Sequence, residues 1–347
     1  MSGFESIIDQ NRPIRILTAF LQKGTIPHAL LFTGIEGVGK ERAAVALAKA
    51  CNCAKNREGS NAEREDTPTP GLSDISRSFT TQPCGSCKSC RKIESDNHPD
   101  IIRLKPSGPF IKIDQIRTLC RTLTLKPYEA GMRVVIISDA QAMNPAAGNA
   151  LLKVLEEPPV RTILVLIAAH TSDLLPTIVS RCQHIRFNPI AKINLESVLV
   201  REHGVDAADA GIIAAMAAGS VSRAMRMYRT NWIKRRYWLI NELDSLSAGS
   251  MNRLLAFGDQ LAKNKDDLPD ALEVLKSWLR DLVIAKLHPN RMIDHDLASK
   301  LQQASQEMSL TSLLSKFEII QSAQNAIQTG SNIRLAMESM ALKLSRV

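Results

Sequence analysis

Gly34, Gly39 and Lys40 stand at the spacing G-x-x-x-x-G-K, inside Leu30-Leu31-Phe32-Thr33-Gly34-Ile35-Glu36-Gly37-Val38-Gly39-Lys40-Glu41. Glycines so placed let a backbone turn its N–H groups toward one point, and the lysine adds a positive charge. Together they suit phosphate. The next position is where a Ser or Thr hydroxyl would hold Mg²⁺. Here it is Glu41, too long and too charged for that place beside a triphosphate. The residues predict a degenerate nucleotide loop at Gly34, Gly37, Gly39 and Lys40. ATP binding stays open, and Mg-dependent hydrolysis is not expected.

Cysteine supplies a second chemistry. In Pro83-Cys84-Gly85-Ser86-Cys87-Lys88-Ser89-Cys90 two C-x-x-C steps share Cys87, and Cys53 lies upstream. Four thiolates suit a closed tetrahedral zinc site, each tight turn aiming two sulfurs at one ion. Cys51 is the rival fourth ligand. It falls earlier on the end of a helix and should point elsewhere, so Cys53 is preferred. Unliganded thiols or a redox pair are the plain alternative. A closed site would be structural and carry no catalysis.

The elements that must position these residues follow an alternating pattern. An apolar run, Ala29 to Phe32, leads into the loop, and an alanine-rich helix follows over Arg42 to Ala50. Asn11-Arg12-Pro13 opens an earlier helix. His28 reads as a packing residue at the strand entry. Residues 56–82 are polar and nearly empty of large apolar side chains, which predicts a disordered insertion. Short strands are expected at Ile101 to Leu104, Arg133 to Ile137, Thr162 to Ala168 and His184 to Phe187, with helices over 113–120 and 149–157 between them. Strands alternating with helices predict a parallel sheet. From Asn188-Pro189-Ile190 onward only helical periodicity remains: a small unit over about 190–245, then about five helices over 251–347.

The 347 residues carry a net charge of +9 and a pI near 9.3, which makes an acidic partner such as nucleic acid plausible. Seven cysteines without a recognisable export signal argue against a disulfide framework. No apolar run approaches the roughly 20 residues that span a bilayer, so a cytoplasmic protein is expected.

A nucleotide hydrolase of this layout ends a second strand in Asp-Glu, to direct the metal and the attacking water. The strand Val134 to Ile137 ends in Ser138-Asp139 instead. Both metal-directing positions are therefore replaced. Ser180-Arg181-Cys182 is the reverse case, an arginine that follows a helix with no nucleotide of its own. Residue chemistry leaves it between a surface arginine and one that reaches a neighbour.

Leu30 to Lys40, the set Cys53/Cys84/Cys87/Cys90, His98-Pro99-Asp100, Asp114-Gln115-Ile116-Arg117, Asn149 to Lys153 with Leu155-Glu156-Glu157-Pro158-Pro159, and Ser180-Arg181-Cys182 occur here in one order. Together they resemble the bacterial DNA polymerase III clamp-loader subunits of the AAA+ family. The resemblance is close over about residues 1–230 and one of size and character beyond. Ser138-Asp139-Ala140 is similar to the non-hydrolysing branch of that family rather than to gamma/tau, which carries Asp-Glu there.

The resemblance implies an α/β AAA+ domain over 1–188, with a RecA-like parallel sheet and an inserted zinc module over about 53–90. A small helical lid over 189–246 and an all-α collar domain over 247–347 would follow. It implies that Arg181 acts in trans on the ATP of a gamma/tau neighbour and that Cys53, Cys84, Cys87 and Cys90 hold zinc. The implied partners are gamma/tau, the delta subunit, the sliding clamp and primer–template DNA, in a hetero-oligomer. Arg223, in Gly219-Ser220-Val221-Ser222-Arg223, stands one place later than the hydrolysing pattern, so no phosphate role is assigned to it. Two other expectations compete. One is an ATP-hydrolysing gamma/tau-type subunit, which would turn over ATP alone. The other is a cysteine module that contacts DNA.

Overall fold

Five short runs form strands; four are rich in Val, Ile and Leu and apolar almost throughout because that part of the sheet is covered on both faces, while the edge strand Gln183–Arg186 is exposed except at Ile185. They are β1 (Ala29–Thr33), β2 (Ile101–Leu104), β3 (Arg133–Ile137), β4 (Thr162–Ala168) and β5 (Gln183–Arg186). The computed structural model describes residues 3–55, 79–245, 251–265, 267–287 and 297–346. All pairings are parallel, in the order β2-β3-β4-β1-β5, so the strand before the glycine loop lies between β4 and β5. Its register sets Leu31 beside Leu166 and His184. The RecA-like parallel sheet expected from the sequence is present. The last strand sits one residue earlier than expected, and Phe187 instead donates its N–H to the Thr33 carbonyl at 2.7 Å.

Side-chain alternation along β1 sorts the core into two layers. Leu30 and Phe32 face a cluster with Leu17 and Leu21 of α1 (Asn11–Lys23) and Ala43 and Leu47 of α2 (Lys40–Asn52). Ile93 of α3 (Lys88–Glu94) closes that layer. Leu31 faces the other cluster, with Ile116 and Leu119 of α4 (Ile113–Thr124), Leu151 and Leu155 of α5 (Pro145–Glu156) and Ile178 of α6 (Pro176–Val179). Burying Phe32 completely contributes roughly 2–3 kcal/mol by the area rule.

Local chemistry fixes the helix ends. α1 stops at Gly24, whose φ of 67° is left-handed backbone that glycine adopts without strain. α5 begins four residues before the expected start, because the Asn144 side chain accepts from the Ala147 N–H at 2.8 Å and Pro145 takes the first position. Two expectations are corrected here. His28 does not pack at the strand entry; it is exposed, and its Nε2 bonds the Leu155 carbonyl at 3.1 Å. The expected disordered insertion lies outside the described residues as far as 78, but its last part is wrong. Phe79 is buried in the first core layer, one large apolar residue that a polar composition concealed.

Beyond Asn188 the described residues form helices and no strand. They are α7 (Lys192–His203), α8 (Ala207–Met216), α9 (Val221–Arg229), α10 (Trp232–Ser245), α11 (Met251–Lys263), α12 (Leu268–Leu287), α13 (Ala298–Glu307), α14 (Leu310–Gln328) and α15 (Ile333–Leu344). Internal contacts divide the chain into two compact units. One is Met1–Leu195 with Gly219–Arg223; the other is Glu196–Ala218 with Ala224–Val347. In the second unit α12 is central, burying Leu275, Trp278, Leu279 and Leu282. α11 meets α15 closely at Gly258, where an added Cβ would come within 2.8 Å of the Glu338 backbone.

Candidate functional site

The glycine loop joins β1 to α2 through three glycines of positive φ: Gly34 (141°), Gly37 (79°) and Gly39 (96°). Two also permit close approaches. A Cβ on Gly34 would meet the Phe187 carbonyl oxygen at 2.5 Å. One on Gly37 would meet Ser220 Oγ and the Ser222 nitrogen at 2.6 Å each. The Gly37 carbonyl accepts from the Val221 N–H at 3.1 Å, and Ile7 lies over Gly39, its Cγ2 set to be 3.1 Å from a Cβ there. Lys40 is buried and does not point away from the loop. Its ammonium donates to the Ile35 carbonyl at 2.8 Å and also to the Gly34 carbonyl. Burial lowers the Lys40 pKa, against the opposing pull of the Asp139 and Glu36 carboxylates. The loop has the glycine geometry of a phosphate cradle, but its lysine is engaged by the loop's own backbone.

The two metal-directing positions are occupied by groups that do not converge on one ion. Glu41 turns to Lys105, 3.1 Å away on the surface. Ser138 is buried at the end of β3, and its hydroxyl has no hydrogen-bond partner among the described residues. Asp139, at a left-handed φ of 50°, accepts from Gln141 Nε2 at 3.3 Å. One hydroxyl and one diverted carboxylate do not fit the ligand set of a Mg²⁺–triphosphate.

The four cysteines do converge. The sulfurs of Cys53, Cys84, Cys87 and Cys90 lie within 4.8 Å of one another. A tetrahedron with bonds of ~2.3 Å spaces its sulfurs ~3.8 Å apart, so the donor set fits a closed metal site. Three of the four sulfurs accept from the amide of the next cysteine: Cys84 N to Cys53 Sγ and Cys87 N to Cys84 Sγ at 3.3 Å, and Cys90 N to Cys87 Sγ at 3.4 Å. The Cys87 amide draws the Cys84 thiol down to about 6, while burial raises Cys90. Cys51 is buried outside the cluster, its thiol pushed up to about 12 by burial.

His98-Pro99-Asp100 fastens this module to the sheet. The Asp100 carboxylate accepts from the N–H groups of Tyr128, Glu129 and Ala130, each at 2.8 Å. Glu129 in turn pairs with Lys92 of α3 at 2.6 Å, and Lys49 of α2 pairs with Glu94. Asn52 bonds both the Met132 carbonyl (2.8 Å) and its N–H (3.0 Å), tying the end of α2 to the start of β3. No spacing or motif marks Asn52, a residue that stands beside Cys53.

Arg181 follows α6 at the surface, 36% exposed. Its Nη1 donates to the Thr177 carbonyl at 3.0 Å, and its Nη2 pairs with Glu156 Oε1 at 2.7 Å. In the remaining motif Ile116 is buried and Gln115 bonds the Lys105 carbonyl at 3.0 Å, so that stretch builds α4 onto the sheet. Loop, cysteine centre and Arg181 are thus three separate places on one unit. No helix among the described residues is long and apolar enough to cross a membrane.

Residues 9–67 and 74–191 match the protein family described as DNA polymerase III, delta subunit, and residues 230–346 match the family of its C-terminal part. The chain is 29% identical to DNA polymerase III subunit delta-prime of Bacillus subtilis, over 96% of each chain. It is 45% identical to subunit delta-prime of Pseudomonas aeruginosa over 101 residues, 28% of this chain and 31% of that one. It is 30% identical to subunit tau of Escherichia coli over 204 residues, 58% of this chain but only 28% of tau.

Proposed function

This chain belongs to the bacterial DNA polymerase III delta/delta-prime family of clamp-loader subunits, related to gamma/tau, and from that premise we propose that it is a non-hydrolysing subunit acting through Arg181. Arg181 completes the ATP site of a neighbouring gamma/tau subunit. Its guanidinium stabilises the charge that develops on that neighbour's γ-phosphate, an effect worth roughly 10³–10⁵ in rate at such sites. The assembly, with the delta subunit, opens the sliding clamp and loads it onto primer–template DNA. The basic net charge of +9 suits that polyanion. The helices of the collar over 247–347 hold the ring together.

The observation that carries the reading is a contrast within one domain. Lys40 is bonded to its own loop, Glu41 turns away to Lys105 and Ser138 offers only a hydroxyl where a carboxylate would direct the metal, yet Arg181 is exposed beyond a helix end. In this reading Gly34, Gly37, Gly39 and Lys40 position β1 and α2 and turn over no nucleotide. Cys53, Cys84, Cys87 and Cys90 hold a structural zinc, which supplies folding free energy and no chemistry on a substrate.

The test compares two charge deletions in the reconstituted assembly. Arg181→Ala should abolish most ATP turnover, while Lys40→Ala should leave it within about twofold. The rival gamma/tau-type reading expects the purified chain to hydrolyse ATP alone and to lose that activity on Lys40→Ala. Turnover by the chain alone would overturn the proposal.

A further inference from the structure

Glu156 is the last residue of α5, where a carboxylate faces the negative end of its own helix and gains nothing from it. Its partner explains the placement. Glu156 Oε1 lies 2.7 Å from Arg181 Nη2, and the Thr177 carbonyl takes Arg181 Nη1 at 3.0 Å. The guanidinium is therefore held from two sides, by α5 and by α6. The two helices are themselves closely fitted. A Cβ on Gly148 of α5 would come within 2.8 Å of Leu175 Cδ1 and 3.4 Å of Ile178 Cδ1. The backbone at Arg181 is fixed as well, by its N–H to the Ile178 carbonyl at 3.1 Å.

We propose that Glu156 is a positioning residue for Arg181: it holds the guanidinium in one rotamer at the end of α6, so that the charge is presented ready-oriented to an anion on a neighbouring subunit. The inference rests on the reading of Arg181 as a trans-acting finger. A free arginine side chain spreads its charge over many rotamers, and rate enhancement by a fixed charge depends on its being in place before reaction. A guanidinium carries five N–H donors, so engagement by Glu156 and Thr177 leaves donors for a phosphate oxygen. Stability does not explain the pair, because exposed ion pairs contribute little to folding.

The test uses the full chain in a reconstituted assembly with its ATPase subunits. Glu156→Gln should lower kcat for ATP about threefold with KM within about twofold, leaving the chain's thermal midpoint unchanged. Glu156→Asp should recover part of the loss, and Glu157→Gln, at the adjacent exposed carboxylate, should do nothing. In an Arg181→Ala background Glu156→Gln should have no further effect, because both act through one group. An unchanged or raised kcat for Glu156→Gln, while Arg181→Ala alone is inactive, overturns this inference and leaves the finger intact. The same fall in the Arg181→Ala background overturns it too. No loss on Arg181→Ala overturns the finger reading and this inference with it.

Discussion

The Lys40 ammonium donates to the Ile35 carbonyl at 2.8 Å, so the lysine of the glycine loop closes on the loop that should present it. The same group also reaches the Gly34 carbonyl. In this structure it satisfies backbone oxygens that the glycine turns leave inward. Lys40→Ala should therefore cost about 1–3 kcal/mol of stability, the penalty for carbonyls that lose a charged donor. Urea unfolding of the isolated chain measures it. A neutral effect would mean that the lysine is not structural.

The glycines of this loop differ from others in the chain by what lies beside them. Gly37 combines a φ of 79° with Ser220 and Ser222 at clashing distance, whereas Gly108 has a φ of 77° and open space. Gly108→Ala should cost about 1 kcal/mol, the left-handed strain alone. Gly37→Ala adds a steric clash and should cost about 2 kcal/mol or more. Equal losses in thermal unfolding would count against the packing of 220–222 on the loop.

Removal of the metal should act on folding before anything else. The purified chain should contain a single bound zinc ion, and Cys90→Ser should lose it with a stability loss on the order of 3 kcal/mol or more. Cys51→Ser should keep the metal and cost about 1–2 kcal/mol, since it only places a hydroxyl in an apolar site. Metal analysis and thermal unfolding of the two variants separate the cases. Loss of zinc from Cys51→Ser would contradict the assignment of Cys53.

Acid should destabilise the fold in two stages. Burial holds the His98 pKa below its usual 6.5. The unfolded chain then takes up the proton first, so stability present above pH 6.5 is lost as pH falls below it. For Asp100 burial alone would raise the pKa, but three N–H donors and Arg133 outweigh it and hold the carboxyl below 3.8. Its contribution is present above that pH and is lost as pH falls through the lowered value. In pH-dependent unfolding, His98→Phe should flatten the limb below pH 6.5, and Asp100→Asn the limb below about 4. An unchanged upper limb in His98→Phe would show that another group titrates there.

The strands were legible because burial on both faces leaves an apolar run with few alternatives, as at Arg133–Ile137 and Thr162–Ala168. The cysteine set was legible from spacing, since tight turns fix where sulfurs can point. What the sequence could not carry were contacts between residues far apart in the chain. Asn52 meeting Met132, Asp100 gathering three amides, and Glu156 meeting Arg181 depend on how sheet and helices stack. Phe79 escaped for the opposite reason, being one apolar residue at the edge of a polar stretch.

The central claim is that Arg181 works on a neighbour's nucleotide. ATP turnover should be measured for an assembly of gamma/tau, delta and this chain, with sliding clamp and primed DNA, carrying either Arg181 or Arg181→Ala. The account predicts a fall of at least about tenfold with assembly intact, because a finger is worth roughly 10³–10⁵ at the site it completes. Turnover unchanged by Arg181→Ala in an intact assembly would contradict it.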